Sequence, residues 1–237
     1  ADKLVIWTVV VGVYTADPRL VPEARVIGDL SYREAGEMAY FGSKVLHPRT
    51  MIPVIEKDIP IEVRSSIAPD AGGTRIRGGA SSDDIAGSVI RDVTLIGLEG
   101  AGMAGVAGVS ARMFGALADA GVSVILISQS SSEASITVAV RNADADAAVS
   151  AVRNTFRLDL ARGLVQQVTE RPDLAVITAV GSKLNHRVGA AASIMGACAR
   201  AKISILAITQ GSSELSVAIV VEGQNVQRAA RAVHDRV

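Results

Sequence analysis

The sequence contains little cysteine, few aromatic residues and no excess of charge. Its single cysteine among 237 residues excludes an intramolecular disulfide framework and a CxxC metal site, which favours a reducing cytoplasmic location. Lys and Arg number 24 and Asp and Glu number 24, so the chain lacks the basic charge expected of a nucleic-acid-binding protein. Aromatic residues make up only 3%, and no apolar run approaches the roughly 20 residues of a membrane span. We expect a soluble globular protein without nucleic-acid or membrane partners.

The sequence does contain a long internal repeat. Residues 125–140, ILISQSSSEASITVAV, are similar to residues 206–221, LAITQGSSELSVAIVV. Gln129 aligns with Gln210, an offset of 81 residues (210 − 129), and the same offset aligns Gly100 with Gly181 without gaps. This regularity predicts a duplicated module, residues 93–156 and 174–237.

Hydrophobic periodicity gives each copy the order βαββα, one strand short of the ferredoxin-like βαββαβ unit. Residues 164–169 are predicted to complete the first copy. The second copy ends on a helix, so its last strand must come from elsewhere or lie beyond residue 237. The fold class predicted for this region is therefore α/β (α+β).

Residues 1–80 differ from the repeat and form a separate predicted domain, followed by modules at 81–170 and 171–237. A strand is predicted at residues 3–13, and a capping box of Ser31 and Glu34 begins a helix that extends to about Val45. Residues 68–82 are rich in Gly, Ser, Pro and Asp, which predicts a loop and the domain boundary. The chain starts at Ala1 without Met, so we expect a fragment or a processed product.

Two glycine- or serine-rich motifs have more than one interpretation. GAGMAG at residues 100–105 matches a dinucleotide fingerprint, but no acidic residue ends the next strand, and a loop that presents backbone N–H groups to a small ligand is favoured. The repeated Q-x-S-S-E is either a polar hairpin turn or a ligand or interface site, since Gln can both donate and accept hydrogen bonds. Its presence in both copies favours the second interpretation.

Other polar residues give weaker signals. Lys44 and Arg19 are candidate phosphate contacts, and each could equally be a solvated surface cation. The three histidines are isolated, without metal-ligand spacing, so no metal site is predicted. In the second copy, Val188, Ala191, Met195 and Cys198 are predicted to share an apolar helical face, and Cys198 is expected in the core.

Several motifs together carry a resemblance to a known family. WTVVVGVYTADPR (7–19), MAYFGSKVLHPRTMIPV (38–54) and GTRI (73–76) resemble the C-terminal part of the catalytic domain of aspartokinases. The two Q-x-S-S-E modules look like the paired ACT regulatory domains of that family. The threonine-sensitive type, including enzymes fused to homoserine dehydrogenase, is the most similar.

The resemblance implies an amino-acid-kinase fold fragment followed by two ACT modules, from a cytoplasmic enzyme of lysine, threonine and methionine biosynthesis. Its activity would be transfer of the ATP γ-phosphoryl group to the side chain of L-aspartate with Mg²⁺. By position in the motifs, the implied ATP-binding residues are Thr8, Tyr14, Arg19, Lys44 and Val45. The implied effector-binding residues are Gln129, Ser131, Gln210 and Ser212, and the effector would be threonine or lysine. A homodimer formed through the ACT sheets is expected.

Two departures from the family affect the expected activity. The family usually has TDVDG where this chain has TVVVG at residues 8–12, so valine replaces both acidic groups at Val9 and Val11. The family's N-terminal lobe, which carries a KFGG-type phosphate loop, is absent from the sequence. We therefore expect the chain alone to be inactive, with a stand-alone effector-binding module or a pseudo-kinase scaffold as alternatives.

Overall fold

The structure is a computed structural model that describes residues 1–43, 45–80, 82, 84–182, 184, 187–210 and 215–236. The chain forms two compact units. The first contains residues 1–90 and 176–237, and the second contains residues 91–175. Two long strands, β5 (Ala86–Glu99) and β8 (Gln167–Val180), contribute residues to both units.

The N-terminal part of the first unit is a small mixed sheet with two helices. Its strands lie in the order β1-β3-β4-β2, with β1 and β3 parallel, β2 and β4 parallel, and β3 and β4 antiparallel. The elements are β1 (Leu4–Thr8), β2 (Asp29–Ser31), α1 (Tyr32–Tyr40), α2 (Pro48–Ile55), β3 (Ile61–Ser65) and β4 (Thr74–Arg77).

The capping box that starts α1 is confirmed, but the predicted helix end is wrong. The Ser31 hydroxyl accepts from the Glu34 N–H, and the Glu34 carboxylate accepts from the Ser31 N–H. The helix stops at Tyr40 because Gly42 takes a positive φ of 104°, and a Cβ there would lie 2.8 Å from the Val89 carbonyl oxygen. The chain therefore turns two residues beyond the helix.

Two other predictions for this part need correction. The N-terminal strand is shorter than residues 3–13, because residues 9–12 turn away after Thr8. The predicted loop at 68–82 contains β4, whose Thr74 and Ile76 are buried while Arg75 and Arg77 are exposed. The strand alternates over only four residues between glycines, too short a pattern to stand out in the sequence.

The rest of the first unit has the order of the second repeat copy. Following the last part of β8 are α6 (Ala190–Arg200), β9 (Ala207–Gln210), β10 (Ser216–Glu222) and α7 (Val226–His234). The missing strand comes from upstream: residues 86–90 of β5 lie beside β8, and a Cβ at Gly181 would lie 3.1 Å from the Ile85 side chain. The copy is thus completed by residues that precede the first copy in the chain.

The second unit has the order of the first repeat copy. It contains the second half of β5, then α3 (Val109–Asp119), β6 (Leu126–Gln129), β7 (Ser135–Arg141), α4 (Ala145–Thr155), α5 (Arg157–Ala161) and the start of β8. β7 pairs antiparallel with both β6 and β5. The Gln166 N–H donates to the Glu99 carbonyl at 2.7 Å, so residues 164–169 close this copy as predicted.

The core of the second unit consists of aliphatic side chains from one face of the strands and the facing sides of α3 and α4. Met113, Leu117, Ile136, Val152 and Phe156 are each at most 1% exposed. Phe156 is one of three phenylalanines in the chain, so small aliphatic residues provide most of the packing.

Candidate functional site

A cavity of about 510 Å³ lies in the second unit, where the loop after β5, the start of α3 and the end of β6 meet. This volume suits a small metabolite. The residues that line it are Met103, Gln129, Glu133, Ile136 and residues 105–111. The lining combines polar side chains, Gln129 and Glu133, with apolar ones, Met103, Val106 and Ile136, as a site for an amphiphilic small molecule requires.

Gln129 reaches this cavity because it is the last residue of β6. Its register partner on β7 is Ile136, and both residues line the cavity. The connecting turn is closed by the Ser130 N–H, which donates to the Ser135 carbonyl at 3.0 Å. Gln129 is thereby held at the end of a strand, where its side-chain amide can donate and accept.

Glu133 links this turn to the loop on the opposite side of the cavity. Its carboxylate accepts a hydrogen bond of 3.1 Å from the Gly105 N–H. Its backbone has a φ of 57°, a left-handed conformation that costs a non-glycine residue about 1–3 kcal/mol. Backbone strain of this kind is often retained at ligand sites, which makes Glu133 a candidate site residue that the predicted set did not include.

The start of α3 supplies the backbone donors of the site. Gly108 takes a φ of 89° immediately before the helix, and the Arg112 N–H makes the first intrahelical bond, to the Gly108 carbonyl at 3.0 Å. The N–H groups of the preceding helical residues have no intrahelical acceptor by the geometry of the helix. All three residues, Val109, Ser110 and Ala111, line the cavity, where their N–H groups can bind a carboxylate.

The four predicted effector residues differ in how the structure places them. Gln129 lines the cavity, whereas Ser131 is exposed on the turn and is not among the lining residues. Gln210 ends β9 as Gln129 ends β6, with Val217 of β10 as its register partner. Ser212 lies outside the described residues, so the second copy of the site is described only at its strand ends.

The predicted nucleotide residues begin at the carboxyl end of β1. Thr8 pairs with Ser65 in the parallel register of β1 and β3, and its carbonyl accepts from the Ser66 N–H at 2.8 Å. The carboxyl ends of parallel strands are the usual position of ligands in α/β sheets. Val9 follows with 72% of its surface exposed, so this valine is not explained by packing in the core.

Residues 14–19 form a loop that is anchored at one end, which we call the nucleotide loop after the role predicted for it from the sequence. Tyr14 forms an antiparallel bridge with Val26. Arg19 is exposed, and its guanidinium donates to the Asp17 carboxylate at 2.7 and 3.0 Å. The hydrogen bond and the charge of Asp17 raise the pKa of Arg19, which keeps its positive charge at every accessible pH.

The remaining nucleotide residues lie after α1. Val45 is half-buried and packs on the core cluster of the N-terminal sheet. Lys44 lies outside the described residues. In the described part of the chain, no three His, Cys, Asp or Glu side chains are grouped to hold a metal ion, and no helix is long and apolar enough to cross a bilayer.

Family models match both parts of the chain. The ACT domain model matches residues 96–156 and 177–237, at the 81-residue offset predicted from the repeat (177 − 96). The amino acid kinase family model matches residues 1–65. The duplicated sensor-type module and the kinase-type segment predicted from the sequence are thus confirmed.

Curated relatives are kinases that extend well beyond this chain. The bifunctional aspartokinase/homoserine dehydrogenase 1 of Arabidopsis thaliana is 43% identical over 100% of this chain and 27% of its own length. The corresponding bifunctional enzyme of Haemophilus influenzae is 41% identical over 97% of this chain and 28% of its own length. The lysine-sensitive aspartokinase 3 of Escherichia coli is 31% identical over 99% of this chain and 51% of its own length. The chain therefore spans about a quarter to a half of these relatives.

Solved structures of aspartokinases are also similar to this chain. Aspartokinase III of E. coli with aspartate and ADP superposes with a TM-score of 0.83 at 31% identity, covering 100% of this chain and 52% of that one. The same enzyme with lysine and aspartate has a TM-score of 0.77 at 31% identity over 99% of this chain and 52% of that one. The aspartate kinase of Clostridium acetobutylicum has a TM-score of 0.88 at 25% identity, covering 100% and 55%.

Proposed function

The chain belongs to the aspartokinase family, as a segment joining part of an amino acid kinase domain to two ACT domains, and we propose that it is the amino-acid-sensing region of an aspartate kinase. The observation that carries this proposal is the cavity at Gln129. The alternatives of a stand-alone ACT module or a pseudo-kinase scaffold are not favoured, because the matches to aspartokinases cover the kinase-type segment as well.

The chemistry of the cavity fits a free amino acid. The unpaired N–H groups at the start of α3 suit an α-carboxylate, and the helix dipole adds a favourable positive potential. The α-ammonium group would lie between the Gln129 side-chain oxygen and the Glu133 carboxylate. Met103, Val106 and Ile136 provide apolar contacts for the amino-acid side chain.

Threonine and lysine are the two candidate effectors. The motifs resemble most the threonine-sensitive type, which includes enzymes fused to homoserine dehydrogenase. The bifunctional relatives share up to 43% identity with this chain, whereas the lysine-sensitive enzyme of E. coli shares 31%. We therefore propose threonine as the first ligand to test. Both amino acids present the same α-carboxylate and α-ammonium groups, and Gln129 can bind either. Their side chains must therefore decide the preference.

Calorimetric titration tests this site directly. We expect the chain to bind threonine, and Gln129→Ala to weaken that binding about 10-fold through loss of one or two hydrogen bonds. Gln167→Ala is a matched control, because Gln167 is an exposed glutamine that bonds Glu99 and does not line the cavity. Binding of lysine alone would reassign the effector. No binding of either amino acid would contradict the proposal.

The complete enzyme is proposed to phosphorylate L-aspartate, with Thr8, Tyr14, Arg19, Lys44 and Val45 at the nucleotide. Phosphoryl transfer depends on positioning and on neutralising phosphate charge, for which Arg19 and Lys44 supply cations. Because the described residues include no group of metal-ligating side chains, we propose that Mg²⁺ enters with the ATP phosphates rather than on this segment.

The chain by itself is expected not to catalyse this reaction. The valines at positions 9 and 11 remove two acidic side chains from the nucleotide segment, and the aspartate-binding lobe of the family is not in this sequence. Purified chain with aspartate and MgATP should release no ADP above the background without aspartate. Aspartate-dependent ADP release that is lost in Arg19→Ala would overturn this expectation.

A homodimer through the ACT modules is the proposed assembly. In each module the outer strand exposes a backbone edge and an isoleucine, Ile127 on β6 (46% exposed) and Ile208 on β9 (37% exposed). Open edges of this kind favour pairing with a second copy. Light scattering should give twice the 24.5 kDa chain mass, and Ile127→Lys should shift it toward the monomer.

Location in the cytoplasm is proposed from the single cysteine, although the plant relatives are chloroplastic. Fractionation of the source cells would distinguish the two compartments.

A further inference from the structure

The last helix of the second ACT module packs against the nucleotide loop inside the first unit. Ala230 of α7 belongs to one small buried cluster with Ala16, Leu20 and Val21. At the end of the same helix, the Nε2 atom of His234 lies 2.9 Å from the Thr15 hydroxyl. One face of α7 therefore contacts the nucleotide loop and the residues that follow it.

Thr15 anchors this loop through burial and several hydrogen bonds. It is 2% exposed, and its hydroxyl accepts from the Arg25 N–H at 3.1 Å. Its backbone N–H donates to the Arg25 carbonyl at 2.8 Å, and its carbonyl accepts from the Gly87 N–H at 2.7 Å. His234 thus bonds a side chain that is buried and whose hydroxyl, N–H and carbonyl are each hydrogen-bonded within the first unit.

The bond to His234 adds a second partner to the Thr15 hydroxyl. The hydroxyl accepts from the Arg25 N–H, and its hydrogen and second lone pair allow a bond with the Nε2 atom of His234 in either tautomer. Substituting an apolar side chain at 234 would leave that buried hydroxyl without this partner, while the packing of Ala230 would remain.

We propose that His234 is a positioning residue for the nucleotide loop, which it holds through Thr15 so that Tyr14 and Arg19 keep their places. This inference rests on the proposed nucleotide role of residues 14–19. Through His234, the C-terminal helix of the second ACT module is hydrogen-bonded directly to the kinase-type segment. A shift of α7 would therefore move the loop that is proposed to bind the nucleotide.

The test compares His234→Phe, which keeps a ring but loses the hydrogen bond, with His234→Gln, whose amide can still bond Thr15. Amide hydrogen exchange at Thr15, Leu20 and Val21 measures the order of the loop, and titration with MgATP measures nucleotide binding. We expect exchange at least 10-fold faster and ATP affinity at least 5-fold weaker in His234→Phe. His234→Gln should stay within 2-fold of the unmodified chain for both.

Other outcomes separate the inference from the proposal on which it rests. Unchanged exchange and affinity in His234→Phe would overturn the positioning role. Faster exchange in a chain that does not bind ATP at all would support the positioning of residues 14–19 and refute their nucleotide role. Threonine binding at Gln129 should be unaffected, which controls for general unfolding. If His234→Phe does not fold, Thr15→Val removes the same bond together with the acceptor of the Arg25 N–H, and Thr15→Ser, which keeps the hydroxyl, is its control.

Discussion

Replacing Glu34 should destabilise the first unit more than any other single charged residue of α1. Glu34 is 1% exposed, and its carboxylate accepts from the Ser31 N–H at 2.9 Å, the Ser31 hydroxyl at 2.7 Å and the Ser182 N–H at 2.8 Å. It therefore caps α1 and also holds the turn that follows β8. Glu34→Ala leaves two backbone donors without this acceptor, at about 1–3 kcal/mol each, so we expect a loss of about 3 kcal/mol.

Glu37→Ala is the matched control on the same helix. Glu37 is half-buried, and among the described residues its carboxylate accepts one hydrogen bond, of 2.9 Å, from the Ser216 hydroxyl, which can rotate to other partners. Its loss should cost about 1 kcal/mol. Urea unfolding followed by the fluorescence of Trp7, the only tryptophan of the sequence, gives both values. A Glu34→Ala penalty no larger than that of Glu37→Ala would refute the reasoning.

Three further predictions concern stability and reactivity. The buried Thr178 hydroxyl has no hydrogen-bond partner in the described structure, so Thr178→Val should stabilise the protein by about 1 kcal/mol in urea unfolding, and a loss of stability would contradict this. The hydrogen bond and charge of Arg112 lower the pKa of Asp159, so their pairing stabilises the fold above the unfolded pKa of about 4 and is lost as pH falls through the lower folded value. Because both groups contact solvent, Asp159→Asn should lower the free energy of unfolding by under about 1 kcal/mol at pH 7 and leave it unchanged near pH 2. A stability difference between the two proteins that is the same at both pH values would exclude this linkage. Burial raises the pKa of the Cys198 thiol, so a thiol reagent should label it only in urea, and rapid labelling of the native chain would show that α6 is not packed as described.

Features that depend on the spacing of residues along the chain were predictable from the sequence. The capping box at Ser31 and the repeat of 81 residues follow from residue spacing alone, and both are confirmed. Features that depend on distant residues were not predictable. The strand that completes the second ACT module precedes the first module in the chain, because β5 and β8 each extend through both units, and no local pattern encodes this exchange.

The buried face of α6 was difficult to predict because the helix is rich in small residues. The sequence suggested Val188 and Met195 on this face, but Val188 is fully exposed before the helix and Met195 is 37% exposed. Ala190 and Ile194 are buried instead, and Cys198 is buried as predicted. In a helix composed largely of alanine several faces have similar hydrophobicity, so packing decides which one is buried.

In the candidate site, the residue at the end of β6 was predicted from the sequence, whereas the role of the turn that follows it was not. Gln129 was found because the same glutamine recurs at Gln210, and the structure places it on a cavity. The contribution of Glu133 depends on a positive φ and on a bond to Gly105, and the repeat alone marks neither. Ser131 was selected from the same motif but is exposed on the turn and is not among the lining residues.

A crystal structure of the chain grown with threonine tests the proposed sensing role most directly. We predict threonine bound in the cavity at Gln129, with its carboxylate on the N–H groups of Ser110 and Ala111 and its ammonium group between Gln129 and Glu133. An empty cavity at saturating threonine and lysine, or an amino acid bound only away from Gln129, would contradict that role.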